Sequence, residues 1–318
     1  MKASWIAVFP GQGSQSVGML RALGDVDATV RDTFQEASDI VRQDLWSIVQ
    51  NGPADQLDRT TTTQPAMLAA GVACWRLLER EGVPDPAFVA GHSLGEVTAL
   101  VAAGVLSFAN AVSLVKVRAH AMQAAVPEGL GGMAAVLGLD DDAVRALCDA
   151  ERGVQVLEAV NFNAPGQVVI AGHADAVERA VGAAKAAGAK RALRLPVSVP
   201  SHCALMKDAA EVMRLRLQQV TLSPARFDVI QNVAAEPSRD PAVLATRLVE
   251  QLYSPVRWVD SIRLAVDRGA VLQVECGPGK VLTGLAKRID SDLKTMEISS
   301  PETLDGARAA LSQATFHG

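Results

Sequence analysis

The sequence VAGHSLGE, residues 89–96, passes from a short apolar run into a predicted helix. Phe88–Ala90 has the character of a strand, and a helix is predicted from about Leu94. Between them lies the pattern G-x-S-x-G with Ser93 at its centre. A serine on such a strand-to-helix turn is a nucleophile elbow, which exposes the hydroxyl above a sheet. The stretch predicts an α/β fold with a nucleophilic Ser93, and the alternative is a structural serine that caps a helix.

Strand-like and helical patterns alternate on both sides of this turn, which is typical of α/β folds. Ile6–Phe9 is predicted as the first strand, and Gln64–Glu81 as an amphipathic helix. Val97–Val115 carries no charge. Its polar residues and Gly104 favour two buried helices, the second capped by Ser107, over a membrane span.

The middle of the chain has the order β-α-β-β-α-β, which is that of a ferredoxin-like unit. The predicted elements are Met133–Leu137, Asp140–Ala150, Val154–Val160, Val168–Ala171, Ala174–Ala187 and Arg191–Val197. We therefore expect a ferredoxin-like α+β subdomain, residues 127–198. It would be inserted into a larger α/β domain that is built from residues 1–126 and 199–318.

Composition narrows the class of protein. The 318 residues are 49% hydrophobic and 20% charged, with a formal net charge of −5, so nucleic acid or an anionic membrane is not expected as the main partner. The cysteines are scattered without a C-x-x-C pair, which favours buried, reduced thiols over disulfides or a metal site. No signal-peptide pattern precedes the first strand, so a cytoplasmic location is expected.

A glycine-rich loop, FPGQGSQSVG (residues 9–18), follows the first predicted strand. Its glycines are Gly11, Gly13 and Gly18, and Ser16 stands where a dinucleotide fingerprint needs its third glycine. The loop also lacks the lysine of a phosphate-binding P-loop. What remains is a sharp turn with exposed backbone N–H groups, and such groups stabilise any oxyanion.

A nucleophilic serine needs a base. Among five histidines, His202 follows a predicted strand and Pro200, where a loop could enter the site. Asp208 has no specific claim to orient it, and a backbone carbonyl is the alternative. The side chain of His92 is expected to point away from Ser93 and to be structural.

Several separate motifs in one order resemble the malonyl-CoA:acyl carrier protein transacylases of bacterial fatty-acid synthesis, from Ile6 to about Ile289. They are FPGQGSQ (9–15), TQPA (63–66), GHSLGE (91–96), VKVR (115–118), NFNAPGQVVIAG (161–172), SVPSHCALM (198–206), QLYSPVRW (251–258) and ECGPGKVL (275–282). The resemblance implies a hydrolase-like parallel-sheet domain with a ferredoxin-like insert, which agrees with the order of elements above.

The resemblance also implies a role for each matching residue. Ser93 would be the nucleophile and His202 the base, oriented by the main-chain carbonyl of Gln251. The oxyanion would meet the N–H groups of Gln12 and Leu94. Arg118 would bind the free carboxylate of the malonyl group, because guanidinium matches carboxylate with two parallel hydrogen bonds. Weaker candidates for the pocket lining are Met122, Asn161 and Asn163.

The implied reaction moves a malonyl group from malonyl-CoA, through an ester on the serine, to the phosphopantetheine thiol of an acidic acyl carrier protein. No cofactor or metal of the enzyme's own is expected, since the phosphopantetheine belongs to the partner. Candidate docking residues for that partner are Lys190, Arg191, Arg194, Lys280, Lys287 and Arg288.

Three other functions stay open at this stage. A serine thioesterase would share the elbow and pass the acyl group to water, although Arg118 in an otherwise apolar pocket counts against it. An acyltransferase of a malonate decarboxylase or a polyketide system would share every residue named. A non-catalytic scaffold is the remaining alternative.

Overall fold

Two sheets organise the chain in the computed structural model, which describes residues 4–197 and 199–313. The strands of the larger sheet are β1 (Ser4–Phe9), β2 (Phe88–Gly91), β7 (Asp228–Ile230), β8 (Pro237–Ser238), β9 (Ala270–Cys276) and β10 (Lys294–Ile298). Those of the smaller sheet are β3 (Gly131–Leu137), β4 (Leu157–Ala164), β5 (Gln167–His173) and β6 (Arg191–Arg194).

Helices connect the strands and cover the sheets. They are α1 (Arg21–Val26), α2 (Ala28–Val41), α3 (Leu45–Asn51), α4 (Ala54–Leu57), α5 (Thr60–Arg80), α6 (Gly95–Ala102), α7 (Phe108–Ala125), α8 (Asp141–Glu151), α9 (Ala174–Ala184), α10 (Lys207–Leu217), α11 (Pro241–Glu250), α12 (Trp258–Asp267), α13 (Val281–Ile289) and α14 (Pro301–Gln313). Two 3-10 helices, Ala204–Met206 and Gln251–Tyr253, complete the set.

The larger sheet has the order β10-β9-β1-β2-β7-β8, and its strands are parallel except for β8 at one edge. Side chains of β1 alternate between two separate apolar clusters, with Trp5 and Phe9 in one and Ile6 and Val8 in the other. All four are fully buried. A parallel strand is apolar on both faces when helices cover both sides of its sheet, and β1 follows that rule.

The carboxyl ends of β1, β2 and β7 meet at one edge of the larger sheet, because these strands are adjacent and parallel. The turn after β2 crosses β1 very closely. A Cβ added to Gly95 would lie 2.0 Å from the carbonyl oxygen of Phe9, and one added to Gly91 would lie 1.9 Å from the Gly95 backbone. Only glycine fits at these two positions, and the turn is thereby fixed against the end of β1.

The smaller sheet is antiparallel, with the order β4-β5-β3-β6, and α8 and α9 pack on one of its faces. This is the ferredoxin-like arrangement expected from the sequence, so the predicted fold class is confirmed. All four strands lie between residues 131 and 194. The domain limits at residues 126/127 and 198/199 stay a prediction.

All four predicted strands of the smaller sheet have somewhat different limits in the structure, and the differences are largest for β4 and β6. β4 was expected at Val154–Val160 but runs from Leu157 to Ala164. It extends further because Asn161, Phe162 and Ala164 continue the antiparallel pairing with β5 up to the turn at residues 165–166. β6 ends at Arg194 rather than Val197. Pro196 has no N–H to continue the ladder.

The uncharged segment after the elbow forms α6 and α7, as predicted. Ser107 caps α7, and its hydroxyl accepts a 3.3 Å hydrogen bond from the N–H of Asn110. Within the described ranges, no helix combines the length and the apolar character that a membrane crossing requires. All four cysteines are free and buried, which confirms the interpretation of their spacing.

Candidate active site

A cavity of about 880 Å³ opens at the carboxyl edge of the larger sheet. The larger domain contributes Ser93 and Arg118 to its wall, and the smaller sheet contributes Met133, Asn161 and Val169. The face of the smaller sheet that α8 and α9 leave uncovered packs on Cys203, the neighbour of His202. The site therefore depends on both sheets.

Ser93 and His202 come together although they are far apart in the sequence. Ser93 Oγ lies 2.7 Å from His202 Nε2, and His202 Nδ1 lies 2.7 Å from the carbonyl oxygen of Gln251. A carbonyl only accepts, so Nδ1 carries the proton and Nε2 is free to accept the Ser93 hydroxyl proton. Asp208, the acid considered as an orienter, is exposed in the first turn of α10. The backbone carbonyl of Gln251 therefore lies where an acidic side chain would otherwise orient the imidazole.

Burial keeps the imidazole of His202 neutral. The side chain is 2% exposed, and burial together with the nearby positive charge of Arg118 lowers its pKa from 6.5 to about 3. A neutral imidazole is the form that accepts a proton. The arrangement suits a general base at neutral pH.

Arg118 lies in the wall of the cavity. It is 1% exposed and donates to Gln64 Oε1 at 2.7 Å, to Gln251 Oε1 at 3.1 Å and to Ser93 Oγ at 3.4 Å. Burial lowers its pKa to about 10, and the charge of Glu96 opposes that shift. The guanidinium is therefore protonated at neutral pH and has only neutral hydrogen-bond partners in the described chain.

Two loops carry Gln12 and Leu94 to the wall of the cavity that holds Ser93. A Cβ on Gly11 would lie 2.5 Å from the carbonyl oxygen of His92, so the glycine-rich loop packs directly on the elbow and carries Gln12 to the cavity wall. Leu94 stands at the start of α6. Neither the N–H of Gln12 nor that of Leu94 has a protein acceptor among the described residues. Both are available to an oxyanion.

The remaining pocket candidates divide into two groups. Met122 and Asn161 line the cavity, and Asn161 Oδ1 is buried without a hydrogen-bond partner in the described chain. Asn163 also lines it, but its Oδ1 lies 2.7 Å from His92 Nε2. The ring of His92 packs edge-on against Trp258, with 5.4 Å between centroids. These contacts make His92 part of the cavity wall.

Three buried polar residues of the site were given no role from the sequence. Gln64 binds Arg118 from α5. Glu96 is fully buried behind the elbow, and burial raises its pKa to about 7. Asn232, directly after β7, accepts a 2.8 Å hydrogen bond from the N–H of Ser93. Gln231 and Asn232 form a polar pair at the carboxyl end of an apolar strand. That position in the sequence was the signal by which Asn232 could have been identified.

The candidate docking residues are all exposed, but their surroundings differ. Lys280 pairs with Glu297 at 2.7 Å, and Arg194 with Glu178 at 3.5 Å. Arg288 binds Gln167 and the carbonyl oxygen of Pro165. The other three have no ion pair with the described residues: Lys190, Arg191 and Lys287. Nor does the described part of the chain contain a cluster of three or more His, Cys, Asp or Glu residues that could hold a metal.

Comparison with known proteins gives consistent matches. The family model "Acyl transferase domain" matches residues 6–304. A malonyl CoA-acyl carrier protein transacylase of Salmonella typhimurium is 52% identical over 300 residues, 94% of this chain and 97% of that protein.

Two solved structures are similar over the same extent. The crystal structure of an acyl carrier protein S-malonyltransferase from Vibrio cholerae has a TM-score of 0.93 and 49% identity, covering 96% of this chain and 100% of that one. A malonyl-transacylase solved in complex with its type II PKS acyl-carrier protein has a TM-score of 0.95 and 47% identity, covering 97% and 100%. The likeness extends over nearly the whole chain.

Proposed function

The chain belongs to the acyl transferase domain family, and from that premise we propose that it moves a malonyl group from malonyl-CoA to the phosphopantetheine thiol of an acyl carrier protein. The transfer proceeds through a malonyl ester on Ser93. Proteins similar over nearly the whole chain carry this activity in their names. We assign the reaction to fatty-acid elongation. The polyketide alternative is kept open by the relative that was solved with a polyketide carrier protein.

The observation that carries the proposal is the position of Arg118. A buried guanidinium whose described partners are neutral leaves a positive charge unsatisfied inside the cavity. Its Nε has no hydrogen-bond partner in the described chain. A carboxylate satisfies both deficits, because it accepts parallel hydrogen bonds and neutralises the charge. With Ser93 Oγ 3.4 Å from the guanidinium, the site favours an acyl group that ends in a carboxylate.

The geometry supports the following first half-reaction. Ser93 Oγ attacks the thioester carbonyl carbon while its proton moves to His202 Nε2. The oxyanion accepts hydrogen bonds from the N–H groups of Gln12 and Leu94, a contribution worth about 10²–10³ in rate for one donor. The C–S bond then breaks, and the CoA sulfur takes the proton from His202. Malonate remains as an ester on Ser93.

The second half-reaction is the reverse with another thiol. The phosphopantetheine thiol gives its proton to His202 and attacks the ester carbonyl, and Ser93 leaves with that proton. The same groups serve both directions, so the chain needs no cofactor of its own. Buried, unpaired cysteines support a cytoplasmic setting for this exchange.

Carrier-protein docking is proposed on the exposed basic residues named above. The strand β6, which holds Arg191, leads directly into Leu195 and Val197 of the cavity wall. Arg191 has no ion pair with the described residues, so it offers an unpartnered charge to an acidic protein. The change Arg191→Glu should raise the carrier-protein KM and leave the KM for malonyl-CoA unchanged. An unchanged carrier-protein KM would remove Arg191 from the docking surface.

Intact-protein mass tests the activity. Mixing with malonyl-CoA should add one malonyl group, which should then move to holo acyl carrier protein. Ser93→Ala should give no adduct. Loss of the adduct to water at the same rate without the carrier protein would identify the protein as a thioesterase. Absence of any adduct would favour the non-catalytic scaffold.

A further inference from the structure

Asn232 lies beside the elbow because of the register of the larger sheet. In the parallel pairing of β2 and β7, Ile230 lies opposite Ala90, so the residues that follow each strand are neighbours. Gln231 and Asn232 are both fully buried, and neither lines the cavity. A polar pair behind the nucleophile, out of reach of substrate, needs an explanation other than binding.

The side chain of Asn232 joins the two peptide groups on either side of the turn. Its Nδ2 donates to the carbonyl oxygen of Gly91 at 2.7 Å, and its Oδ1 accepts from the N–H of Ser93 at 2.8 Å. The same Oδ1 accepts a longer bond, 3.4 Å, from Gln251 Nε2. A donor and an acceptor on one short side chain are the property of a primary amide.

The turn that Asn232 spans is strained. Ser93 has φ +53°, in the left-handed region, which costs a non-glycine residue roughly 1–2 kcal/mol. Its N–H is held by Asn232, and its carbonyl oxygen accepts a 2.9 Å bond from Gln251 Nε2. The conformation that exposes the nucleophile is thus held from both sides by two amide side chains.

Asn232 is itself anchored to the helix that follows the elbow. Its N–H donates to Glu96 Oε2 at 2.7 Å, and its carbonyl oxygen accepts from the N–H of Arg257 at 3.0 Å. Glu96 is in the first turn of α6. Ser93, Glu96 and Asn232 therefore form a closed ring of chain and hydrogen bonds.

We propose that Asn232 is a positioning residue for acyl transfer, an inference that rests on the proposed function. It holds Ser93 in the conformation that points Oγ at His202. Through Gln251, it also steadies the residue whose carbonyl orients the imidazole. Because Asn232 does not touch the cavity, it acts on the reactivity of Ser93 and not on substrate affinity.

The test compares Asn232→Ala with Gln231→Ala. The control residue is equally buried and also bonds to Glu96, at 3.2 Å, but it has no bond to the elbow. Asn232→Ala should lower the maximal rate of Ser93 acylation by malonyl-CoA about 10²-fold, as misplaced reacting groups do. Its half-saturating malonyl-CoA concentration should stay within about twofold, as substrate contacts are unchanged. Gln231→Ala should keep the maximal rate within about threefold of the wild-type rate. The melting temperatures of both variants show whether either one is misfolded.

A fluorophosphonate probe separates this proposal from the proposed function. The probe bonds to an activated serine oxygen with loss of fluoride and needs no malonyl recognition. Asn232→Ala should slow its reaction by a factor similar to that for malonyl-CoA. Reaction of the wild-type protein with the probe but not with malonyl-CoA would overturn the proposed function. The positioning role of Asn232 would then be tested by the rates of reaction with the probe alone.

Asn232→Asp keeps the test decisive if the alanine variant does not fold. The carboxylate still accepts from the N–H of Ser93 but cannot donate to the carbonyl oxygen of Gly91, so a loss of about tenfold or more in the maximal rate is expected. A rate within about threefold of wild type in whichever variant folds would overturn the proposal. An equal loss in Gln231→Ala would do the same.

Discussion

Arg118 is the single residue on which the proposed choice of acyl group depends. Arg118→Ala should lower kcat/KM for malonyl-CoA by roughly 10²-fold, the equivalent of about 3 kcal/mol of charge-assisted hydrogen bonding. Acetyl-CoA has no carboxylate to bind, so its transfer should be spared or improved. Intact mass of the variant, recorded during its reaction with each of the two thioesters, measures the ratio of malonyl to acetyl adduct formation. Equal losses for both would contradict carboxylate binding by Arg118.

His202 should stay neutral over a wide range of pH. Burial and the charge of Arg118 hold its pKa near 3, well below the ordinary 6.5, so the free base persists at every pH above about 5. Arg118→Ala removes the second cause, and the pKa of His202 should rise. Imidazole titration by NMR, assigned through the signal lost in His202→Ala, reports both states directly. A wild-type midpoint near 6.5 would contradict the prediction.

At this scale, sequence patterns identify some residues and miss others for a physical reason. The elbow around Ser93 was predictable because strand, turn and helix are local and leave a local pattern. His202 and Arg118 took their roles from a family resemblance, since their partners are distant in the chain and only folding brings them together. Gln64 had no pattern of its own, because a single buried amide leaves no periodicity to detect, and the only signal for Asn232 was its place in a polar pair after an apolar strand.

The crossing of β1 and α6 determines whether the elbow forms at all. In Gly95→Ala, the new methyl group would lie 2.0 Å from the carbonyl oxygen of Phe9, so α6 has to move away from the strand. We expect a loss of about 1–3 kcal/mol or more in the free energy of unfolding, with loss of Ser93 acylation. Urea unfolding and intact mass measure the two effects.

Gly182→Ala is the matched control for that substitution. Gly182 lies inside α9 and is exposed, and a Cβ built on it meets nothing within 4 Å. Alanine should therefore stabilise the protein by about 0.4–1 kcal/mol through helix propensity and the unfolded state. Destabilisation by both variants to a similar degree would show that the close crossing at Gly95 is not the cause.

Helices and strands could be predicted from the sequence where their signal is self-contained, and the limits of a strand were missed where pairing with another strand sets them. The helix N-cap at Ser107 and the two amphipathic helices of the smaller sheet have self-contained signals. The limits of β4 do not, because they depend on where its pairing with β5 begins and ends. The sequence NAPG (residues 163–166) indicates a turn, but it does not show that its first two residues stay in the strand, with Ala164 opposite Gln167.

For the whole molecule, folding buries ionisable groups that the unfolded chain would leave in water. Glu96 is the clearest case. It is fully buried, which disfavours its charged form. The positive charge of Arg118 and hydrogen bonds from Asn232, Gln231 and Gln251 stabilise the carboxylate only in part. Such a group connects the stability of the entire fold to pH.

The sign of that connection follows from the two pKa values of Glu96. In the folded protein burial raises its pKa to about 7, whereas 4.5 is the ordinary value expected on unfolding. Between these values the folded state keeps a proton that the unfolded state has lost, so stability falls as pH rises from about 5 to 7. The full change is on the order of 3 kcal/mol. Glu96→Gln resembles the protonated form and lacks this fall, so its stability relative to wild type should increase from pH 5 to pH 8. Urea unfolding of both proteins across that range measures the difference, and a constant difference would show that Glu96 does not titrate there.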